Sequence, residues 1–186
     1  MPFTKTDFPG LLIFEPAVFE DARGYFFESY NERVFLQEGL GFKWIQDNQS
    51  ASNYGVIRGL HYQNPPKAQA KLVRTLQGKI LDIAVDLRKG SPTFGKVYSI
   101  ELSSENKLQL LIPHGFAHGF SVLSEQAIVL YKCDHLYDKA SEGSIAYNDP
   151  FLNIDWKIPA DKIILSEKDR THPLFKDGKN HFNFEG

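Results

Sequence analysis

The sequence predicts an all-β fold, a sandwich or barrel of the jelly-roll kind, with a few short peripheral helices. Two observations support this prediction: apolar and polar residues alternate along many short segments, and Gly and Pro residues separate those segments. Short strands joined by such turns pack as two facing sheets or close into a barrel. With 186 residues and no internal repeat or linker, the chain is expected to form one domain over residues 1–186.

The clearest strand is in the segment GKILDIAVDLRKG, where Asp82 lies on one face and four aliphatic residues lie on the other: Leu81, Ile83, Val85 and Leu87. The segments KVYSIEL and EQAIVLYKCDHLY show the same alternation and are also predicted to be strands. NERVFLQEGLG is the segment with helical patterning, because Asn31 can cap it and Gly39 or Gly41 can end it. The tail from about Pro173 is weakly patterned, so we expect it to be less ordered or to pack on the domain.

Composition argues against several classes of partner. The net charge is −2 and no run of Lys or Arg occurs, which argues against nucleic acid or an anionic membrane as the main partner. The single Cys133 cannot form an intrachain disulfide, as is usual in a reducing compartment. No signal-like leader or membrane-length apolar run is present, so we expect a cytoplasmic protein.

Six histidines are candidates for chemistry. His114 and His118 are four residues apart, and on a strand that spacing places both on one face. A metal-binding β-barrel built on His61, His114 and His118 is one interpretation, but a mononuclear site needs three or four ligands. No Glu accompanies His61 in the pattern such sites favour, so we expect no metal.

Two arginines and a tyrosine lie among apolar residues. Arg23 precedes three aromatic residues and Arg58 lies within a strand-like segment, so each needs an anionic partner, either a carboxylate or a bound diphosphate. Tyr131 shares a strand face with Ala127, Val129 and Cys133, and is either a core residue or a proton donor.

Nine motifs occur in an order that resembles one known family: DARGYFFE (Asp21–Glu28), QDN (Gln46–Asn48), RGLHYQ (Arg58–Gln63), KLVR (Lys71–Arg74), DLRKGSPTFG (Asp86–Gly95), IPHGFAHGF (Ile112–Phe120), LYK (Leu130–Lys132), NDP (Asn148–Pro150) and LSEKD (Leu165–Asp169). Over residues 1 to about 170 the chain is similar to the dTDP-4-dehydrorhamnose 3,5-epimerases. The resemblance implies a cupin-like jelly-roll barrel, a homodimer, a dTDP-4-dehydro-6-deoxy-hexose substrate, and no metal or other cofactor.

The same resemblance implies a role for four residues. The C4 ketone of the substrate acidifies the hydrogens on C3 and C5, and His61 is the implied base that removes them. Asp169 is implied to orient that base, as the carboxylate does in a catalytic triad. Lys71 is implied to stabilise the enolate oxygen, and Tyr131 is implied to return the proton on the opposite face.

Ten further positions match substrate-contact positions of the family: Arg23, Glu28, Gln46, Asp47, Asn48, Arg58, His118, Tyr137, Glu142 and Lys168. Of these, Arg23, Arg58 and Lys168 could neutralise the diphosphate, and Tyr137 matches the residue that stacks on thymine. In the family the N-terminal strands reach the partner subunit, so Arg23 and Glu28 are expected to serve the neighbouring site.

The positions of Arg58 and His61 conflict with a regular strand. Strict alternation places these two side chains on opposite faces of a strand. An extra residue at Gly59 would bring both to the same side, so the sequence predicts a β-bulge there.

Three alternatives stay open at this point. A sister epimerase that inverts only C3 or only C5 would use the same side chains. A metal-dependent cupin would use the three histidines named above. A non-catalytic module that binds sugar nucleotides would need neither His61 nor Tyr131, although the sequence has both.

Overall fold

The computed structural model describes residues 2–185. The chain forms, in order, β1 (Phe3–Lys5), β2 (Leu12–Phe14), β3 (Phe19–Asp21), β4 (Gly24–Phe26), α1 (Glu32–Gln37), β5 (Gln46–Asn53), β6 (Ile57–Gln63), β7 (Lys71–Gln77), β8 (Lys79–Asp86), β9 (Val97–Ser103), β10 (Gln109–Ile112), β11 (Phe116–Val122), β12 (Gln126–Cys133) and β13 (Glu142–Ser144). Short 3₁₀ helices follow at Ala160–Lys162, Asp169–Thr171 and Phe175–Asp177. The prediction of a mostly β protein with few, short helices is confirmed.

Two antiparallel sheets dominate the structure. One has six strands in the order β1-β2-β10-β7-β12-β5, and the other has five in the order β13-β6-β11-β8-β9. Strands β3 and β4 form a separate hairpin. Aliphatic and aromatic side chains of both sheets pack into one core, which includes Val73, Ile80, Ala84, Leu102, Leu110, Phe120, Val122 and Val129. The two sheets therefore face each other across shared apolar residues.

Each sheet is covered on its outer face. Helix α1 packs on the six-stranded sheet, where Phe35 is fully buried beside Phe14 and Leu111. The Asn31 side chain accepts a hydrogen bond from the Arg33 backbone N–H, so this helix begins at the predicted cap. The segment after β13 covers the five-stranded sheet, and its tail takes part because Phe182 is buried there.

The predicted strand faces of β8 are confirmed. Leu81, Ile83 and Val85 pack in the cluster under the C-terminal segment, whereas Ile80 and Ala84 point into the core between the sheets. Because both faces of this strand are covered, a polar residue on it is buried as well.

The bulge at Gly59 is also confirmed. His61 pairs with His118 and Arg58 pairs with Phe120, so two residues of β6 lie opposite Gly119 alone. Gly59 has a φ of +118°, and an added Cβ would lie 2.6 Å from the Gly119 Cα. A glycine is therefore required for the bend that turns Arg58 and His61 to the same side.

No helix formed by residues 2–185 has the length and apolar character that crossing a membrane requires.

Candidate active site

A cavity of about 440 Å³ opens between the two sheets. The six-stranded sheet contributes Asn48, Lys71 and Tyr131 to its lining, and the five-stranded sheet contributes Arg58, His61, His118 and Glu142. Ser166, Lys168 and Asp169 of the C-terminal segment and Tyr137 of the loop after β12 complete it. Ten of the fourteen residues expected at the site therefore line one cavity.

His61 and Asp169 form a close pair of titratable groups in this cavity. The His61 Nε2 lies 2.8 Å from Asp169 Oδ1, and the two side chains are 32% and 6% exposed. Ser166 donates a hydrogen bond of 2.8 Å to the other oxygen, Oδ2. Burial raises the pKa of Asp169, but the contacts with His61 and Ser166 outweigh it and hold that pKa below its usual range. An ionised carboxylate thus lies against one nitrogen of an accessible imidazole.

His172 is a third member of this cluster that the sequence reasoning missed. Its Nε2 lies 3.6 Å from Asp169 Oδ1, and its ring meets the His61 ring edge-on at a centroid distance of 5.1 Å. Burial is the main cause that lowers the pKa of His172, so the ring is neutral near pH 7. His172 lies three residues after Asp169, the last residue of the LSEKD motif. This closeness in sequence was the one sign that His172 belongs to the site.

Lys71 supplies a buried cation on the opposite sheet. Its side chain has no ion-pair partner among residues 2–185, and its Nζ lies 5.8 Å from the Tyr131 ring centroid. Burial lowers the pKa of Lys71, and the nearby Asp82 and Glu142 oppose that effect. Burial also raises the pKa of the Cys133 thiol to about 11, so the thiol is neutral near pH 7. The ammonium therefore points into a cavity where an anion would be well stabilised.

Tyr131 lies on β12, across the cavity from His61 on β6. Burial raises the pKa of its phenol, which stays protonated near neutral pH and can act as a proton donor. Tyr131 therefore lines the cavity and also packs against the core between the sheets.

His118 is held by a residue that the sequence did not reveal. Its Nε2 lies 2.8 Å from Asp82 Oδ1, and both side chains are buried. Burial, which outweighs the attraction of Asp82, lowers the pKa of His118. Asp82 lies on the face of β8 that points between the sheets, so this polar residue is buried rather than exposed to solvent.

The cavity mouth carries residues of both signs. Lys168 pairs with Glu142, and the Tyr137 hydroxyl donates a hydrogen bond of 3.1 Å to the same carboxylate. The contact with Lys168 lowers the pKa of Glu142 against the effect of its partial burial. Arg58 donates from Nε to Ser52 Oγ at 3.0 Å, which leaves its other guanidinium nitrogens free for a ligand.

Four of the expected contact residues lie outside this cavity. Arg23 pairs with Asp21 on the β3–β4 hairpin, and Glu28 accepts hydrogen bonds from Asn31. Asp47 pairs with Lys132 on the outer side of β5. Gln46 accepts a hydrogen bond from the Tyr137 backbone N–H and donates one to Asn48 Oδ1, so it contacts two residues that line the cavity.

The three histidines of the metal interpretation are not gathered at one point. His61 and His118 are cross-strand neighbours that line the cavity, whereas His114 pairs with Asp134 and is 44% exposed outside it.

The arrangement can move protons on and off a carbon acid. An imidazole beside a carboxylate can accept a proton, a phenol across the cavity can donate one, and a buried ammonium can stabilise the negative charge formed between the two events. A planar substrate between the sheets would be exposed to the base on one face and to the acid on the other.

Comparison with known proteins agrees with this chemistry. The family model described as dTDP-4-dehydrorhamnose 3,5-epimerase matches residues 5–177. A dTDP-4-dehydrorhamnose 3,5-epimerase of Shigella flexneri is 51% identical over 179 residues, which are 95% of this chain and 97% of the relative.

Two solved structures are similar throughout. The dTDP-4-dehydrorhamnose 3,5-epimerase of Elizabethkingia anophelis superposes with a TM-score of 0.91 at 57% identity, covering 96% of this chain and 98% of that one. The dTDP-6-deoxy-D-glucose-3,5-epimerase of Legionella pneumophila, solved in complex with dTDP-4-keto-L-rhamnose, has a TM-score of 0.89 at 46% identity and covers 94% and 93%. The chain belongs to the dTDP-4-dehydrorhamnose 3,5-epimerase family.

Proposed function

We propose that this protein epimerises dTDP-4-dehydro-6-deoxy-D-glucose at C3 and C5 to give dTDP-4-dehydro-L-rhamnose, a step of dTDP-L-rhamnose biosynthesis. One observation carries the proposal: His61 and Tyr131 line a single cavity from opposite sheets. Inversion at a carbon requires that a proton leaves one face and returns to the other, and these two groups are placed to do so.

The first step is proton abstraction. The His61 Nδ1, which is the ring nitrogen turned from Asp169, takes the hydrogen from the carbon beside the C4 ketone. The electron pair of the broken C–H bond forms a C=C bond, and the ketone oxygen becomes an enolate. Asp169 stabilises the imidazolium that results, because its carboxylate lies 2.8 Å from Nε2.

The second step returns a proton to the opposite face. The buried Lys71 ammonium stabilises the enolate oxygen until Tyr131 donates its phenolic proton to the same carbon. The ketone is restored and the configuration is inverted. His61 then releases its proton to solvent and Tyr131 takes one from solvent, so the same steps can be repeated at the second carbon. The reaction is redox-neutral, so it requires no nicotinamide cofactor.

The nucleotide would occupy the cavity mouth. Arg58 and Lys168 provide cations for the diphosphate, and the Tyr137 ring is 56% exposed, which leaves a face free to stack on thymine. The Legionella pneumophila relative was solved in complex with dTDP-4-keto-L-rhamnose, which supports a ligand of this class.

We also propose that the protein acts as a homodimer in which the N-terminal segment reaches the partner site. Arg23 and Glu28 lie outside the cavity of their own chain, and the hairpin beside them exposes Phe19, Tyr25 and Phe26. An exposed aromatic hairpin is typical of an interface. The two facing sheets support a cupin-like jelly-roll domain over residues 1–186, and a cytoplasmic location suits its nucleotide-sugar substrate.

Product analysis tests the proposal. The purified protein is incubated with dTDP-4-dehydro-6-deoxy-D-glucose, the product is trapped by a ketone reductase, and the configurations at C3 and C5 are read by NMR. Inversion at both carbons is expected. Inversion at one carbon would assign the protein to the mono-epimerases, and unchanged sugar would contradict an epimerase function.

A further inference from the structure

Three side chains that can bind a metal ion, one of them the proposed catalytic base, lie close together beside the cavity. His61, Asp169 and His172 each offer one nitrogen or oxygen atom, and these three atoms lie within 4.8 Å of one another. Asp169 Oδ1 lies 2.8 Å from His61 Nε2 and 3.6 Å from His172 Nε2. Ser166 occupies the other carboxylate oxygen, Oδ2, so Oδ1 is the atom directed at both rings.

The converging atoms have few hydrogen-bond partners. His61 Nε2 and Asp169 Oδ1 lie 2.8 Å apart, in the contact that lowers the pKa of Asp169, and neither atom has another partner among residues 2–185. The His172 side chain is 4% exposed, and its two ring nitrogens have no well-aligned hydrogen bond in the same part of the chain, although a contact with the Ile145 backbone opposes the lowering of its pKa by burial. Buried polar atoms are normally satisfied, so the point that these three atoms face could take a further binding partner.

The spacing suits a zinc-type ion. Zinc binds imidazole and carboxylate at about 2.0–2.2 Å in a tetrahedral arrangement, which separates neighbouring ligand atoms by about 3.3 Å. The observed separations from Asp169 Oδ1, 2.8 Å and 3.6 Å, lie on either side of that value. Two imidazoles and one carboxylate are a common ligand set for zinc, with water in the fourth position.

We propose that His61, Asp169 and His172 form a binding site for a divalent zinc-type ion, and that occupancy of this site inhibits the enzyme. The inhibition rests on the proposed function, because it requires His61 to be the base. An ion on Nε2 would withdraw electron density from the ring, so Nδ1 would no longer accept a proton from carbon. The ion would also separate His61 from the carboxylate that stabilises its protonated form.

Binding is measured first, independently of activity. Metal-stripped protein is titrated with Zn²⁺ in competition with a chromogenic chelator, for the wild type and for His172→Phe and His114→Phe. His114 serves as the matched control, because it also contacts a carboxylate, Asp134, but lies outside the cavity. We expect one tight equivalent in the wild type and in His114→Phe, and an affinity at least about tenfold weaker in His172→Phe. Equal affinity in all three proteins would overturn the site.

Co²⁺ provides a readout that needs no variant. A tetrahedral site with two nitrogens and one oxygen gives intense visible absorption when Co²⁺ binds, and Zn²⁺ should displace that signal. Absence of the absorption would overturn the site even if His172→Phe failed to fold.

Inhibition is then measured against each protein's own metal-free rate. Zn²⁺ should inhibit the wild type and His114→Phe over the range in which it binds, a chelator should restore the rate, and His172→Phe should require at least about tenfold more Zn²⁺. Full turnover of the zinc-loaded wild type would overturn the inhibition and contradict the base role of His61. If the wild type epimerised its substrate normally but bound no Zn²⁺, the metal site would be overturned and the proposed function would be left intact.

Discussion

His61 and Tyr131 line the same cavity from opposite sheets, His61 on β6 and Tyr131 on β12. In the proposed mechanism, this relationship gives the base and the acid access to opposite faces of one substrate ring. The fold positions them without a long loop, because both residues lie within strands that the shared core holds in place. The consequences of that arrangement can be tested residue by residue.

Replacing Lys71 by Met should lower kcat by about 10²–10³-fold, because it removes the cation that stabilises the enolate. The stem would still fill the buried space, so the fold should persist. Lys132→Met is the matched control, since Lys132 pairs with Asp47 outside the cavity and should leave kcat unchanged. Equal rates for the two variants, measured by steady-state kinetics, would remove Lys71 from the mechanism.

Replacing Arg58 by Ala should chiefly weaken nucleotide binding. Hydrogen bonds to charged groups contribute about 1.5–3 kcal/mol, so the Kd for dTDP should rise roughly ten- to hundredfold. Ser52→Ala removes only the hydroxyl that orients Arg58 and should weaken binding less. Calorimetric titration with dTDP measures both, and unchanged affinity in Arg58→Ala would place the diphosphate elsewhere.

Replacing Gly59 by Ala should disturb the site from within β6. An added Cβ would lie 2.6 Å from the Gly119 Cα and 2.7 Å from the His118 carbonyl oxygen. Gly90→Ala is the control, because Gly90 also has a positive φ, +86°, but has nothing within 4 Å of an added Cβ. We expect Gly59→Ala to be less stable than Gly90→Ala by about 1–3 kcal/mol in urea unfolding, and to lose activity. Equal losses would show that only the backbone conformation matters at Gly59.

Local patterns predicted much of this fold. Alternation located the strands, Asn31 marked the start of α1, and the conflict between Arg58 and His61 predicted the bulge at Gly59. Each of these features is caused by residues that are close in sequence, so a short segment is enough to predict it. The family resemblance supplied the residues that were expected to meet in the cavity.

Features that depend on distant segments could not be predicted in this way. Asp82 looks like a solvent-facing residue of an alternating strand, yet it is buried against His118 because a second sheet covers that face. His172 reaches His61 only because the C-terminal segment folds back onto β6. Arg23 and Glu28 lie away from the cavity of their own chain, and no local pattern shows which subunit a hairpin serves.

Stability should fall as the pH decreases from 7.5 to 5.5. Burial lowers the pKa of His118 and of His172 in the folded state, whereas both titrate near 6.5 when unfolded. The unfolded chain therefore binds more protons below that pH, so the stability present above it is progressively lost, by up to about 1.4 kcal/mol per pH unit for each group. Urea unfolding at three pH values measures the slope, which His172→Phe should reduce. A stability that stayed constant or rose on acidification would contradict neutral, buried histidines.

Proton exchange with solvent tests the opposed base and acid most directly. The wild type, His61→Ala and Tyr131→Phe are each incubated with dTDP-4-dehydro-6-deoxy-D-glucose in D₂O, and deuterium and configuration at C3 and C5 are read by mass spectrometry and NMR. We expect deuterium with inversion at both carbons in the wild type. His61→Ala should lose exchange by about 10²–10⁴-fold while still binding dTDP, and Tyr131→Phe should lose inversion more than exchange. Wild-type exchange and inversion in His61→Ala would contradict the assignment of His61 as the base.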